Sequence, residues 1–467
     1  MVIIGGGIAG LSAALELHDH GIRPAVYEAA NRWGGRIFTN TGYWDGGQTS
    51  EWAGELIDSG HTTMLGQARR FRLQVNDLQK LEAQGSVDTF FFNGQFYSPA
   101  DALKDFAAIL PAIHADAEQS GYPMTYAKNT PAGVALDRMS VKEWIEARVR
   151  GGLTSALGQL LDVAYTTEFG ADSSEQSALN LVYMLSANEE SFRIFGESDE
   201  RYHIQGGNQR LPLAIAEYLG SESIHLGHRL VALKKRSDGV FVLTFQHGQR
   251  TLEAVTDYLL LTLPFAVLRT LDLQGMGFDE RKLLAIREQG VGRNGKLQLQ
   301  FSERVWRGRG AWPGVANGGS FSSSGYQLSW DASRDQPGNL GILVNFTGGS
   351  IASALSTAVP WGTAKTPGVP EDSAKFLRQL EPVFRGATAA WQGKATSSLP
   401  HLDENLKLSY SFFRPGQYAK FAGYEGTRQG NVFFAGEHTS LDFQGFMEGG
   451  AAEGVRAATE IVQALRT

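Results

Sequence analysis

Gly5, Gly7 and Gly10 are spaced as GxGxxG after the apolar run Val2-Ile3-Ile4, and the acid Glu28 follows 18 residues after Gly10. That spacing suits a dinucleotide grip. Gly5 makes the tight turn, Gly7 lets the backbone approach a pyrophosphate, and Gly10 lets the following helix sit close on a sheet. The start of that helix, near Ile8, offers unpaired N–H groups and the positive end of its dipole to phosphate, while Glu28 can accept hydrogen bonds from a ribose diol. A second grip follows at Arg32 and Gly34-Gly35-Arg36, where a glycine pair gives close backbone approach and an arginine gives a bidentate phosphate donor. Far along the chain, Val432-Phe433-Phe434-Ala435-Gly436-Glu437 reads as a buried strand ending in an acid, and Gly445-Phe446-Met447 leads into a helix over Ala452 to Leu465. A helix start there would stabilise negative charge developing on a bound ligand.

These residues need elements to hold them. Strand, glycine turn and helix predict a Rossmann-like domain, and a chain of 467 residues exceeds one compact core, so two or three domains, interleaved in sequence, are expected. Residues 62–201 show amphipathic helical spacing, as in Ala100 to Leu110, and Ser140 with Glu143 reads as a capping box. Gly206-Gly207-Asn208 enters a helix over Leu213 to Leu219. Arg229–Lys234 and Val240–Phe245 read as a hairpin across Asp238-Gly239, and Tyr258–Thr262 as a buried strand ended by Pro264. Alternation over Lys296–Phe301 and Leu340–Asn345 predicts strands of a further sheet, and residues 348–368 read as loop or short helix. The expected fold class is therefore α/β with an α+β substrate part. Its segments are 1–61, 202–290 and 406–467 for the nucleotide domain, 62–201 for a mainly helical subdomain, and 291–405 for a mixed substrate sheet.

Composition narrows the function. Hydrophobic content of 42% and charged content of 19% describe a globular protein, and a net charge of −7 gives no footprint for nucleic acid or an anionic membrane surface. With no cysteine there is no disulfide, thiolate metal site, cysteine nucleophile or flavin tethered through a thioether. The most apolar stretch, Tyr258 to Leu268, is far shorter than the roughly 20 residues a bilayer span needs. Met1 opens directly onto the first strand, so no secretory signal is read. The compartment stays open between cytoplasmic and exported after loss of a leader, and the oligomeric state, homo-oligomer included, is equally open.

Together with Gly206-Gly207-Asn208, Leu261-Thr262-Leu263-Pro264 and Lys296, the two ends resemble the flavin-dependent amine oxidase family, which includes monoamine, polyamine and L-amino acid oxidases. Ordered matches run from Val2 to His61, Ile204 to Lys296 and Ser409 to Ala458. The resemblance implies non-covalent FAD held at Gly5, Gly7, Gly10, Glu28, Arg36, Gly54, Glu55, Val231, Glu437 and Met447, with Val231 acting through its backbone toward the adenine. It places Lys296 beside the reactive flavin nitrogen through water, Phe446 as one aromatic wall and Tyr410 as the opposing wall. It also implies the chemistry. An amine that loses its charge on burial gives a hydride equivalent to the flavin, dioxygen takes up the electrons and leaves as hydrogen peroxide, and the imine hydrolyses to ammonia and a carbonyl product.

The resemblance to bacterial enzymes favours an L-amino acid oxidase of broad, bulky or aromatic preference, which needs an anchor for the substrate carboxylate. Animal L-amino acid oxidases carry an arginine where this chain has Ile57, so the role passes to Arg414, with Arg193 and Arg201 as alternatives. A primary amine or polyamine oxidase is the alternative reading, because polyamine enzymes line their tunnels with acids and Glu55, Glu168 or Glu189 could be recruited. A non-oxidase flavin scaffold or a dehydrogenase is a third.

Overall fold

The structure, a computed structural model, describes residues 1–189, 191–309 and 315–466. Its α/β half is a parallel sheet of β1 (Val2–Ile4), β2 (Ala25–Tyr27), β3 (Ile224–His225), β4 (Leu259–Leu261) and β5 (Val432–Phe434), in the order β5-β4-β1-β2-β3. Strands 173 to 257 residues apart in sequence, as Leu259 is from Val432 and Val2 from Leu259, therefore meet as neighbours. The order reverses at β1, and in open α/β sheets a ligand crevice forms at such a switch point.

Period-two alternation divides this sheet between two cores. Ile3, Leu260 and Phe433 face one apolar cluster with helix α1 (Ile8–Asp19) and helix α2 (Met447–Arg466). Val2, Ile4, Leu259, Leu261, Val432 and Phe434 face the other, with Phe241, Phe245 and Phe265. The helices α1 and α2 approach closely because a Cβ on Gly454 would sit 2.2 Å from the Ala9 carbonyl oxygen. Gly10 serves the turn in a similar way: a Cβ there would lie 1.9 Å from the Gly5 oxygen.

The second half is a large mixed sheet. From one edge it runs Trp361–Thr363, Trp391–Ser398, Asn294–Phe301, Gly341–Gly348, Leu328–Asp331, Val315–Ser322, Ser86–Phe92 and Gln95–Tyr97. Its last two strands come from the stretch expected to be helical. The cause is local: Phe90-Phe91-Phe92 pairs back on Gln95-Phe96-Tyr97 across Asn93-Gly94, both with positive φ, which is the two-residue hairpin turn that Asn-Gly favours. The remainder of 62–201 is largely helical, around Trp144, Leu160, Leu161, Leu181 and Val182, and Ser140 and Glu143 form the reciprocal cap. The hairpin Arg229–Lys235 with Phe241–His247 gains a third strand, Arg250–Thr256, in a separate small sheet. The helix expected from Leu213 begins at Arg210, with Pro212 in its first turn, where a missing N–H costs nothing. The C-terminal helix likewise starts earlier, at Met447. No helix among the described residues is long and apolar enough to cross a membrane.

Candidate active site

A cavity of about 530 Å³ runs from the β1 turn to the large sheet, lined by residues from all of the ordered segments of the family resemblance. Gly5, Gly7, Glu28, Arg36, Gly54, Glu55, Lys296, Tyr410, Glu437, Phe446 and Met447 all face it. Gly10 and Val231 do not. Gly10 packs against the turn, and Val231 sits at a register shift in its strand with its side chain exposed, so Arg229 and Leu230 line the cavity there.

At one end the chain forms a cradle whose free backbone donors could hold a phosphorylated nucleotide. Gly7 caps α1 without any side-chain hydrogen bond, which leaves the N–H groups of the first turn available. Gly7 and Gly35 face each other: a Cβ on Gly35 would stand 3.2 Å from the Gly7 Cα, so side chains at these positions would fill the space. Glu28 accepts from the Gly6 and Ala30 amides at 2.6 and 2.7 Å. Burial pushes its pKa up, and those hydrogen bonds and Arg32 offset only part of the rise. Arg32 lies over the Phe38 ring at 4.0 Å, with a buried Nη1 that has no protein partner. That orphan donor beside an uncapped helix start fits an anionic ligand. Arg36 bridges segments, donating to Glu437 at 2.7 Å and to the Ser409 carbonyl at 3.0 Å. Glu437 also accepts from the Ser411 hydroxyl and the Gly445 amide at 2.8 and 2.9 Å. Its burial would raise its pKa, yet the Arg36 charge and the hydrogen bonds from Arg36 and Ser411 hold it below the usual carboxylate range. Gly54 is pinned between the Arg36 carbonyl and the Met447 thioether.

The middle of the cavity belongs to the strand Asn294–Phe301. Leu297, Leu299 and Phe301 enter the apolar core, while Lys296, Gln298 and Gln300 face the opposite way. These three donate in turn to the carbonyls of Ala53, Glu51 and Asp45, at 2.7, 2.9 and 3.1 Å. Lys296 also donates to Glu55 at 2.6 Å, and Trp330 donates its indole N–H to the other oxygen of Glu55 at 2.8 Å. The lysine and glutamate side chains are 8% and 9% exposed, so this is a buried ion pair rather than a surface lysine. Burial raises the Glu55 pKa, but the Lys296 charge and hydrogen bond, the Trp330 bond and the more distant His203 bring it below the ordinary value.

At the far end Tyr410 and Phe446 come together. A Cβ on Gly445 would lie 3.8 Å from the Tyr410 Cβ, which sets the tyrosine against the turn carrying Phe446. Phe446 in turn meets the edge of buried His61, at 5.3 Å between ring centres. Phe169, Phe195, Trp330 and Phe346 complete an aromatic lining. Among them stand two carboxyls, Glu168 and Glu200, neither of whose side chains has an ion-pair or hydrogen-bond partner among the described residues. Glu200 presents much of its surface to the cavity although protein surrounds it, and its backbone holds φ of 45° with its amide bonded to Asp58. Desolvation, then the charges of Glu200 and Asp58, raise Glu168 to about 8; desolvation and Asp58 raise Glu200 to about 7.

The expected carboxylate anchors lie elsewhere. Four residues beyond Tyr410 the chain has left the cavity wall, so Arg414 rests near the Phe412 ring at the turn into the helix Gln417–Phe421. Arg201 pairs with Asp77, Arg193 and Glu189 are outside the lining, and Ile57 is fully buried in the core beside α1. Sequence reasoning missed Glu200, Trp330, Phe346 and Asn294. Of these, only the aromatic character of Trp330 in an alternating strand carried a signal.

The fold and this cavity define a flavoprotein oxidoreductase. A family model for flavin-containing amine oxidoreductases matches residues 8–462, and the chain belongs to that family, with FAD as its cofactor. It is 25% identical over 482 residues to an L-amino-acid oxidase of Siganus canaliculatus, covering 99% of this chain and 85% of the relative. It is also 24% identical over 480 residues to the flavin-containing amine oxidase B of Canis lupus familiaris, covering 100% and 86%. Among solved structures, cyclohexylamine oxidase from Brevibacterium oxydans IH-35A aligns with a TM-score of 0.82 at 23% identity, over 100% of this chain and 99% of that one. A putrescine oxidase bound to putrescine aligns at 0.80 and 20% identity, over 99% and 98%. These structural likenesses share the fold.

Proposed function

We propose that the protein is a FAD-dependent oxidase of amines whose cavity favours an amine bearing a second cationic group. One observation carries this: the aromatic end of the cavity presents Glu168 and Glu200 without partners, while the lining arginines Arg32, Arg36 and Arg229 stand with Glu28, Glu437 and Glu404. A cavity-facing carboxyl pair with raised pKa values regains its charge when a cation enters, so a distal ammonium is the guest that satisfies it. Bound FAD supplies the hydride acceptor for the α C–H and the route of electrons to dioxygen.

In this reading Tyr410 and Phe446 hold the reacting amine between aromatic faces and exclude water, which favours its neutral form. Lys296, paired with Glu55, orders water at the cavity's centre. Glycines 5 and 7, the Gly54 backbone, Glu28, Arg36, Glu437 and Met447 hold the cofactor, with Glu55 acting through Lys296. The division into three nucleotide-binding segments, a helical block and a substrate sheet is proposed with the edge hairpin Ser86–Tyr97 reassigned to the sheet.

A second reading is an oxidase that converts bulky or aromatic L-amino acids to 2-oxo acids, ammonia and hydrogen peroxide. The L-amino-acid oxidase relatives and the aromatic lining support it. It requires a buried donor for the substrate carboxylate, and loss of such a desolvated charge pair costs roughly 2–5 kcal/mol. A peroxide-coupled panel separates the two. We expect a linear diamine and phenethylamine to exceed L-phenylalanine in kcat/KM. An advantage of L-phenylalanine over phenethylamine of about 30-fold or more would instead require a carboxylate anchor and sink the amine reading.

A further inference from the structure

Behind the Lys296–Glu55 pair lies a second buried charge cluster that the chemistry above does not use. His203, on the short strand Tyr202–Ile204, places Nε2 3.0 Å from a Glu51 oxygen and Nδ1 3.1 Å from an Asp335 oxygen. Ionised carboxylates only accept, so a ring that serves both at once must donate from both nitrogens, which is the imidazolium form. Burial alone would lower the His203 pKa, but the hydrogen bonds and charges of Asp335 and Glu51 raise it to about 10.

The cluster is wired to the site through one short segment. Glu51 accepts from the Asn208 amide and the Thr39 hydroxyl, both at 2.8 Å. The Asn208 side-chain amide then donates to the carbonyls of Glu55 and Gly54, at 2.6 and 3.3 Å. The Glu51 carbonyl takes Gln298, on the strand that carries Lys296. His203 also acts directly, since its charge helps hold Glu55 ionised.

We propose that His203, clamped as a cation between Glu51 and Asp335, is a positioning residue that fixes the segment 51–55 and so sets the Lys296 ammonium on Glu55. The proposal rests on the reading of Lys296 given above. Without the cation, Glu51 and Asp335 repel each other, Glu51 loses a donor, and the carbonyls that receive Asn208 and Lys296 are no longer held in one place.

The test is a double-mutant cycle in the FAD-loaded protein, with flavin reduction and reoxidation followed separately by stopped flow. Lys296→Met should slow at least one half-reaction. His203→Gln should slow that same half-reaction about tenfold alone, and less than about twofold in the Lys296→Met background, because coupled residues do not add. Hydrogen exchange on the same loaded proteins gives a readout besides activity: amides of 51–56 and Asn208 should exchange faster in His203→Gln. Equal slowing by His203→Gln in both backgrounds, or unchanged exchange over 51–56, overturns the proposal. If Lys296→Met changes neither half-reaction, the role of Lys296 falls first and this proposal with it. Should His203→Gln not yield folded protein, Asp335→Asn removes one side of the clamp with little change of shape, and the same non-additive pattern, smaller in size, is required of it.

Discussion

The two ends of the cavity treat their charges in opposite ways. At the nucleotide end nearly every ionic group is engaged within the protein: Glu28 on two amides, Arg36 on Glu437, Glu437 on four donors in all. At the aromatic end Glu168 and Glu200 stand without partners among the described residues, and their pKa values are raised to about 8 and 7. A satisfied network costs no reorganisation when its ligand arrives, which suits a cofactor that stays. Unpaired carboxyls facing an enclosed cavity store a demand that only the right guest meets, which suits a substrate that must be told from others.

The contrast can be broken most forcefully at its satisfied end. Arg36→Ala leaves the Glu437 carboxylate buried without its counter-charge, a loss of about 3 kcal/mol at the lower end of what breaking a buried pair costs. Urea unfolding should register this, and the purified variant should carry little flavin. Wild-type stability with full flavin content would show that the pair is dispensable and that the nucleotide end is less interlocked than its hydrogen bonds suggest.

The unsatisfied end should yield a smaller and more selective effect. Glu168→Gln combined with Glu200→Gln should lower kcat/KM for a linear diamine about 10- to 100-fold, the value of one or two charge-assisted hydrogen bonds, while phenethylamine changes less than about threefold. Equal losses for both substrates would mean that the acids shape the cavity without reading a cation.

The unsatisfied end can also be read through the pH dependence of stability. The Glu168 carboxyl has a folded pKa of about 8, above its unfolded value of 4.5. Between those values the folded protein keeps a proton that the unfolded chain has lost, so the wild-type loses stability as pH rises through the window. Glu168→Gln removes that loss. Its melting temperature relative to wild-type, in FAD-loaded and substrate-free protein, should therefore improve from about pH 5 to about pH 8.5. An unchanged difference across that range would place the Glu168 pKa near the ordinary value.

The same contrast explains what could be read in the sequence. The nucleotide end depends on local geometry: a strand, a glycine turn, a helix start and an acid 18 residues on, all within Val2 to Glu28. Lys296, Gln298 and Gln300 also announced a polar face by alternation, although nothing in the spacing said that the loop 45–55 would cover it. The aromatic end depends on residues that meet only through tertiary contacts. Glu200 reaches the cavity through a strained backbone held by Asp58, and Trp330 gains its importance by donating to Glu55, 275 residues away in sequence. Arg414 was attractive because it is close to Tyr410 in the chain, yet four residues suffice to carry it behind the wall. The hairpin at Asn93-Gly94 was legible in principle and was obscured by the helices around it.

The alternation of Asn294–Phe301 has one more consequence. A strand can shift against its neighbours only in whole residues, and a shift of one would turn Leu297 toward the cavity and drive Lys296 into the apolar core. The lysine's location is therefore all or nothing. Moderate damage elsewhere in the large sheet should reduce how many molecules fold, while those that do fold keep the ammonium where it belongs.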